Sequence, residues 1–183
     1  MVLYVVRHAE AVEESETLRD EWRYLTEKGR SVAGKMSAAI AKLGPKPRLT
    51  ITSPLTRAVQ TAEIAAEKAC RRNVIVASEL LAPGADINEL IAHLKECQAK
   101  RVMLVGHEPQ LGLLVAALLD RRERVISPKK GACIALEFDP DRDKPAGFLW
   151  YLAPGKKLIT SLKKAFADKR PDPHDSQAGT TAP

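Results

Sequence analysis

Apolar positions along the chain follow two alternating rhythms. Short β-rich runs, mostly apolar, stand at Val2–Val6, Leu49–Thr52, Val74–Ala77, Val102–Val105 and Cys133–Phe138, with a weaker one at Phe148–Leu152. Runs of this length without polar alternation suit strands buried on both faces. Between them, apolar residues return every three or four positions. Val32, Met36, Ile40 and Leu43 predict one helix, and Leu55, Val59, Ala62, Ala66 and Ala69 a second. Ile87, Leu90, Ile91 and Leu94 predict a third, and Leu111, Leu114, Val115 and Leu118 a fourth. Asp86 reads as the N-cap of the third helix, with Glu89 as its capping partner. Ser53 and Pro54 read as the N-cap and first residue of the second. Strands alternating with helices predict an α/β fold, a three-layer α/β/α sandwich with a largely parallel central sheet.

The chain has 183 residues and neither an internal repeat nor a Gly/Ser linker, which suits one domain over residues 1–165. Residues 166–183 read as a disordered tail. Asp168–Pro183 holds three prolines and no apolar period, and His174 within it is expected to do nothing. That stretch carries −1, so the rest of the chain carries +7 of the net +6. A basic body favours anionic partners. Aromatic residues make up only 4% of the chain and form no stacking pattern, which argues against nucleic acid. The pairs Arg71–Arg72, Arg121–Arg122 and Lys163–Lys164 read as solvated helix ends, His93 as a surface side chain, and Trp22 and Trp150 as packing residues. Cys70, Cys97 and Cys133, odd in number and irregular in spacing, fit reduced core thiols rather than a disulfide or zinc framework. The longest late apolar run, Leu111–Leu119, is too short to span a membrane. The expectation is a soluble cytoplasmic protein without a membrane partner; the oligomeric state stays open, a monomer being the simpler expectation.

Three predicted strands end in the same way, with a polar or basic residue following at once. The first is followed by Arg7 and His8, the second by Ser53, Pro54 and Arg57, and the fourth by Gly106 and His107. Ligands of open α/β sheets sit beyond the carboxyl ends of the strands. If these strands are parallel neighbours, Arg7, His8, Arg57 and His107 converge on one pocket. Arg57 falls in the first turn of its helix, where free N–H groups and the dipole favour an anion. Two planar guanidinium forks suit a tetrahedral oxyanion, and a neutral histidine adds a nucleophile.

These residues carry a family resemblance. Arg7-His8-Ala9 resembles the RHG signature of the histidine phosphatase (phosphoglycerate mutase-like) superfamily, with Ala in place of Gly. Ser53-Pro54-Leu55-Thr56-Arg57-Ala58-Val59-Gln60-Thr61-Ala62 resembles its SPxxRAxQTA motif, and Gly106-His107 its late GH element. Arg23-Tyr24-Leu25-Thr26 with Gly29, Glu79-Leu80 with Pro83-Gly84-Ala85-Asp86, and GHEPQLG further resemble the SixA-type phosphohistidine phosphatases over about Met1 to Leu152. The resemblance implies a phosphoglycerate mutase-like fold and a phosphatase that needs neither metal nor cofactor. His8 would be the nucleophile, passing through a covalent phosphohistidine, with one ring nitrogen held by a backbone carbonyl. Arg7, Arg57 and His107 would bind the phosphoryl oxygens. Arg23 would approach from a loop and Lys130 from the rim before the fifth strand.

Larger members of the family use a carboxylate to protonate the leaving oxygen. Glu79 lies nearest the expected place, ahead of Glu10, Glu13 and Asp86. A weak or missing acid favours a phosphoramidate, because imidazole with a conjugate-acid pKa near ~6.5 leaves more readily than an alkoxide. About 45 residues separate His8 from Ser53, too few for a large helical lid. The expected substrate is therefore a phosphohistidine-bearing protein or a small phosphorylated compound. The alternatives are a broad-specificity or sugar-phosphate monoesterase with the same nucleophile and a non-catalytic phosphate-recognition module.

Overall fold

The computed structural model describes residues 1–69, 74–123 and 126–167. Six strands form one sheet: β1 (Val2–Arg7), β2 (Leu49–Thr52), β3 (Val74–Ala77), β4 (Arg101–Gly106), β5 (Cys133–Glu137) and β6 (Gly147–Leu152). Their order is β3-β2-β4-β1-β5-β6. β3, β2, β4 and β1 run parallel, while β5 pairs antiparallel with both β1 and β6. The helices are α1 (Glu27–Leu43), α2 (Thr56–Ala69), α3 (Ile87–Glu96), α4 (Gln110–Leu118) and α5 (Leu162–Ala167).

Alternate side chains of the central strands bury against opposite layers, as the period of two requires. Tyr4, Val6, Met103 and Val105 pack with Ile40 of α1 and with Ala58, Ala62 and Ala65 of α2. Leu3, Val5, Val102 and Leu104 pack on the other face against α3, α4 and Ala165 of α5. These two apolar layers make the expected α/β/α sandwich. Because β5 runs against β1, it starts at the edge where β1 ends. The Lys129–Ala132 turn is thereby drawn to that edge: the Gly131 N–H donates to the carbonyls of both Arg7 and His8, at 3.1 and 3.0 Å. Gly131 has a φ of 78°, and a Cβ there would come within 2.9 Å of Val32. Glycine suits both demands.

Several local expectations need correction. α2 starts at Thr56 rather than beside Ser53, although the Ser53 hydroxyl accepts from the Leu55 amide at 3.3 Å as a cap would; the same hydroxyl also faces His107. The buried stripe of α2 is Ala58, Ala62 and Ala65, with Leu55 buried just ahead of it and Val59 and Ala66 only half-buried. On α1, Ala33, Met36 and Ile40 are buried, whereas Val32 is half-buried and Leu43 exposed. β3 is strand but exposed along its length, as an edge strand. Trp150 does pack, tilted on Tyr4 with ring centroids 5.9 Å apart. Trp22 does not: it is 65% exposed. Asp86 caps α3, accepting from the amide of Asn88. Cys133 is buried, which pushes its thiol well above the ordinary cysteine range, and Cys97 is half-buried. Arg121, Arg122, Lys163, Lys164 and His93 are exposed. Cys70, Arg71, Arg72, His174 and the whole of 168–183 lie outside the described residues. Among the described residues, no helix is long and apolar enough to cross a membrane.

Candidate active site

Strand register assembles the site. Arg7 pairs with Gly106 and Thr52 with Val105. The residues that follow therefore leave the sheet side by side, from three neighbouring strands. The His8 amide continues the ladder to the Gly106 carbonyl at 3.1 Å, and the Ser53 amide to Val105 at 2.9 Å. This brings the rings of His8 and His107 to a centroid distance of 4.9 Å, tilted by 52°. Both are buried, as are Arg7 and Arg57.

The proton on His8 has a defined place. Its Nδ1 lies 2.7 Å from the Ala9 carbonyl oxygen. A carbonyl oxygen only accepts, so Nδ1 carries the hydrogen and Nε2 keeps its lone pair. Burial holds His8 well below the ordinary imidazole range, and His107, Arg57 and Arg7 push it further down against the opposing Ala9 bond. His107 is lowered to about 3, by burial first and then by Arg57, with Asp20 opposing. Its Nε2 lies 2.8 Å from the Ser53 hydroxyl. Near neutral pH the pocket thus contains two uncharged imidazoles beside two permanent cations.

Helix α2 is tied to this edge through its own first turns. Thr61 Oγ1 donates to the Arg57 carbonyl at 2.7 Å and accepts from the Ala9 amide at 3.2 Å. Gln60 Oε1 accepts from the Leu25 amide at 2.8 Å, docking the segment ahead of α1. Arg7 Nη1 donates to the Pro128 carbonyl at 3.2 Å. Arg57 donates from Nη1 to the Asp20 carbonyl at 2.6 Å and from Nη2 to Asp20 Oδ2 at 2.9 Å.

The other candidate residues are spread around this centre. Arg23 reaches Asp20 Oδ1 at 2.9 Å and the Val12 carbonyl at 2.7 Å, with Glu13 at 3.8 Å. Lys130 is half-buried beside Gly131, close enough for its charge to act on Glu10. Glu10 itself binds Lys28 and Thr26. Glu79 is exposed, at the start of a 3₁₀ turn, Glu79–Leu81, that follows β3. Asp86 is spent on its helix cap.

Two contacts escaped the sequence reading. Ser53 reads in the sequence as a helix cap, although its place at a strand end beside that of His107 is a usable signal. Asp20 had only its spacing of three from Arg23, an ordinary helical ion-pair spacing.

Comparison with known proteins follows the same lines. Residues 3–81 match the family model of the histidine phosphatase superfamily (branch 1). An uncharacterized protein of Picosynechococcus sp. is 36% identical over 117 residues, covering 61% of this chain and 69% of that one. Among solved structures, the protein histidine phosphatase SixA complexed with tungstate superposes with a TM-score of 0.76 at 23% identity, over 84% of this chain and 97% of that one. The mycobacterial glucosyl-3-phosphoglycerate phosphatase superposes with a TM-score of 0.59 at 19% identity, over 74% and 89%. At these identities the superpositions speak for the fold.

Proposed function

We propose, from the match of residues 3–81 to the histidine phosphatase superfamily, that this chain is one of its hydrolases and removes the phosphoryl group from phosphohistidine on a signalling or phosphotransfer protein. The observation that carries the reading is the Nδ1 contact of His8 with the Ala9 carbonyl, which leaves Nε2 as the free lone pair of a buried, neutral ring. In the first step Nε2 attacks phosphorus, a new P–N bond forms, and the P–N bond to the substrate's imidazole breaks. The substrate's imidazole takes a proton from solvent on its other ring nitrogen and leaves as neutral imidazole. In the second step water attacks the phosphoryl group on His8, giving inorganic phosphate and restoring the ring. Arg7, Arg57 and His107 are the donors for the phosphoryl oxygens, whose charge they stabilise in both transition states.

Phosphohistidine is favoured over an ester by the state of the nearby carboxylate. Asp20 is bound to both Arg57 and Arg23, and their charges hold it below the usual carboxylate range against its burial. An ionised carboxylate has no proton to give an alkoxide. An imidazole leaving group demands less of such an acid, being protonated by water near its own pKa of ~6.5. The likeness of fold to a sugar-phosphate phosphatase keeps one rival, a monoesterase that uses the same His8.

The test is a panel of a phosphohistidine protein, several sugar phosphates and an aryl phosphate, with trapping of the phosphoenzyme. Acid-labile, base-stable phosphate is expected on the wild-type chain and not on His8→Ala. The phosphohistidine protein should have the highest kcat/KM by about tenfold or more, since a tenfold ratio is 1.4 kcal/mol of transition-state preference. Equal turnover of esters and phosphohistidine would favour the monoesterase, and absence of any trapped phosphate would remove His8 as nucleophile.

A further inference from the structure

The segment between β1 and α1 leaves the body of the protein as an excursion with a pinned neck. Ala11 and Leu25 form an antiparallel bridge, and the Val12 amide donates to the Tyr24 carbonyl at 2.9 Å. Arg23 Nε closes the neck from the side by donating to the Val12 carbonyl. Beyond the neck, Asp20 opens a short 3₁₀ turn, Asp20–Trp22, and reaches across to α2. It offers three acceptors to two arginines. Its backbone carbonyl and Oδ2 take Nη1 and Nη2 of Arg57, and Oδ1 takes Nη1 of Arg23.

We propose that Asp20 is a positioning residue for phosphoryl capture: it fixes the guanidinium of Arg57 by two bonds and joins Arg23 to it. This rests on the pocket being the phosphoryl site described above. A guanidinium has five N–H donors in a rigid fork, so two bonds to Asp20 fix its plane while others remain for an anion. Arg57 and Arg23 repel each other, and a carboxylate shared between them is what lets both stand at one mouth. Arg23 sits on the excursion rather than on the sheet edge, so its place relative to Arg57 depends on Asp20.

Charge alone makes the opposite prediction. A carboxylate beside a phosphate site repels the phosphate, so its removal would tighten anion binding if its field were all that mattered. The sign of the effect therefore separates positioning from repulsion. Asp20→Asn keeps the shape and one oxygen acceptor but removes the charge. Asp20→Ala removes the bonds made by the carboxylate.

The measurement is binding of inorganic phosphate by calorimetry on the full chain, with KM and kcat for an aryl phosphate alongside and thermal midpoints as a fold check. Phosphate Kd and KM are expected to rise about tenfold in Asp20→Ala and less in Asp20→Asn, and kcat is expected to fall with them, again less in Asp20→Asn, because Arg57 also stabilises the transition states. In an Arg23→Ala background, Asp20→Ala should add clearly less than it does alone, because the two residues share one contact. Unchanged or tighter phosphate binding in Asp20→Asn would overturn the proposal, as would fully multiplicative losses in the double variant. If Asp20→Ala fails to fold, the Asn variant decides by the same sign. Trapping of phosphate on His8 in the Asp20 variants is expected to persist, so failure here leaves the nucleophile standing, and failure of trapping in the wild type is read separately.

Discussion

His8 and His107 stay neutral where a free imidazole would be half-protonated, because burial and the nearby arginines penalise their cations. The unfolded chain has no such penalty and takes up protons on both near ~6.5. Below that pH the unfolded state therefore binds more protons than the folded one. Stability from these two groups is complete above the unfolded value and declines as the pH falls, down to about 3 for His107. At 1.36 kcal/mol per pH unit, His107 alone should cost the fold about 2 kcal/mol between pH ~7.5 and ~5. Urea unfolding at the two pH values checks this, and His107→Gln should reduce the difference by a comparable amount. Equal midpoints for the wild type at both pH values would contradict neutral buried rings. The same depression keeps the His8 lone pair available in mild acid, so kcat/KM should not fall with the titration of an ordinary histidine near ~6.5.

At the scale of elements, the most exacting joint is where α1 meets the chain leaving β1. Thr26 caps α1 by accepting from the Gly29 amide at 2.9 Å, and the Thr26 amide donates to the Glu10 carbonyl at 3.1 Å. A Cβ on Gly29 would overlap that same carbonyl oxygen, which is backbone and has little room to yield. Gly29→Ala is thus expected to cost about 3 kcal/mol by overpacking. Because Glu10 lies two residues past His8, kcat/KM should fall with it; denaturant unfolding and steady-state kinetics report the two effects. Five of the six strands and the four longer helices were legible because each buries a face, and burial writes a period into the sequence; β3, exposed along its length, was legible from its β-branched composition alone. Leu162–Ala167 and the two 3₁₀ turns were not, since an element of fewer than two turns leaves no period to read. The site divides in the same manner. His8, Arg7, Arg57 and His107 could be grouped because parallel strands deliver their carboxyl ends to one edge. The Asp20 contact spans 37 residues in sequence, joins a loop to a helix, and has no local pattern to announce it.

At the scale of the whole molecule, the last described helix belongs to the core. Ala165 of α5 packs into the same apolar layer as Leu136 and Tyr151, so α5 closes the face opposite α1 and α2. A chain ending at Ala167 keeps every described element, and we expect it to keep its thermal midpoint and its turnover of an aryl phosphate within about twofold. A drop of several degrees would put residues 168–183 into the stability of the fold. The truncation also removes a stretch of charge −1 and raises the net charge from +6 to +7. By field alone, capture of an acidic phosphohistidine protein should then quicken slightly at low salt and lose that gain as the Debye length shrinks to about 8 Å near physiological ionic strength. If dephosphorylation of the protein substrate slows instead while the aryl phosphate is untouched, residues 168–183 contribute contacts to the protein substrate, because the charge change and the pocket chemistry would both have predicted otherwise.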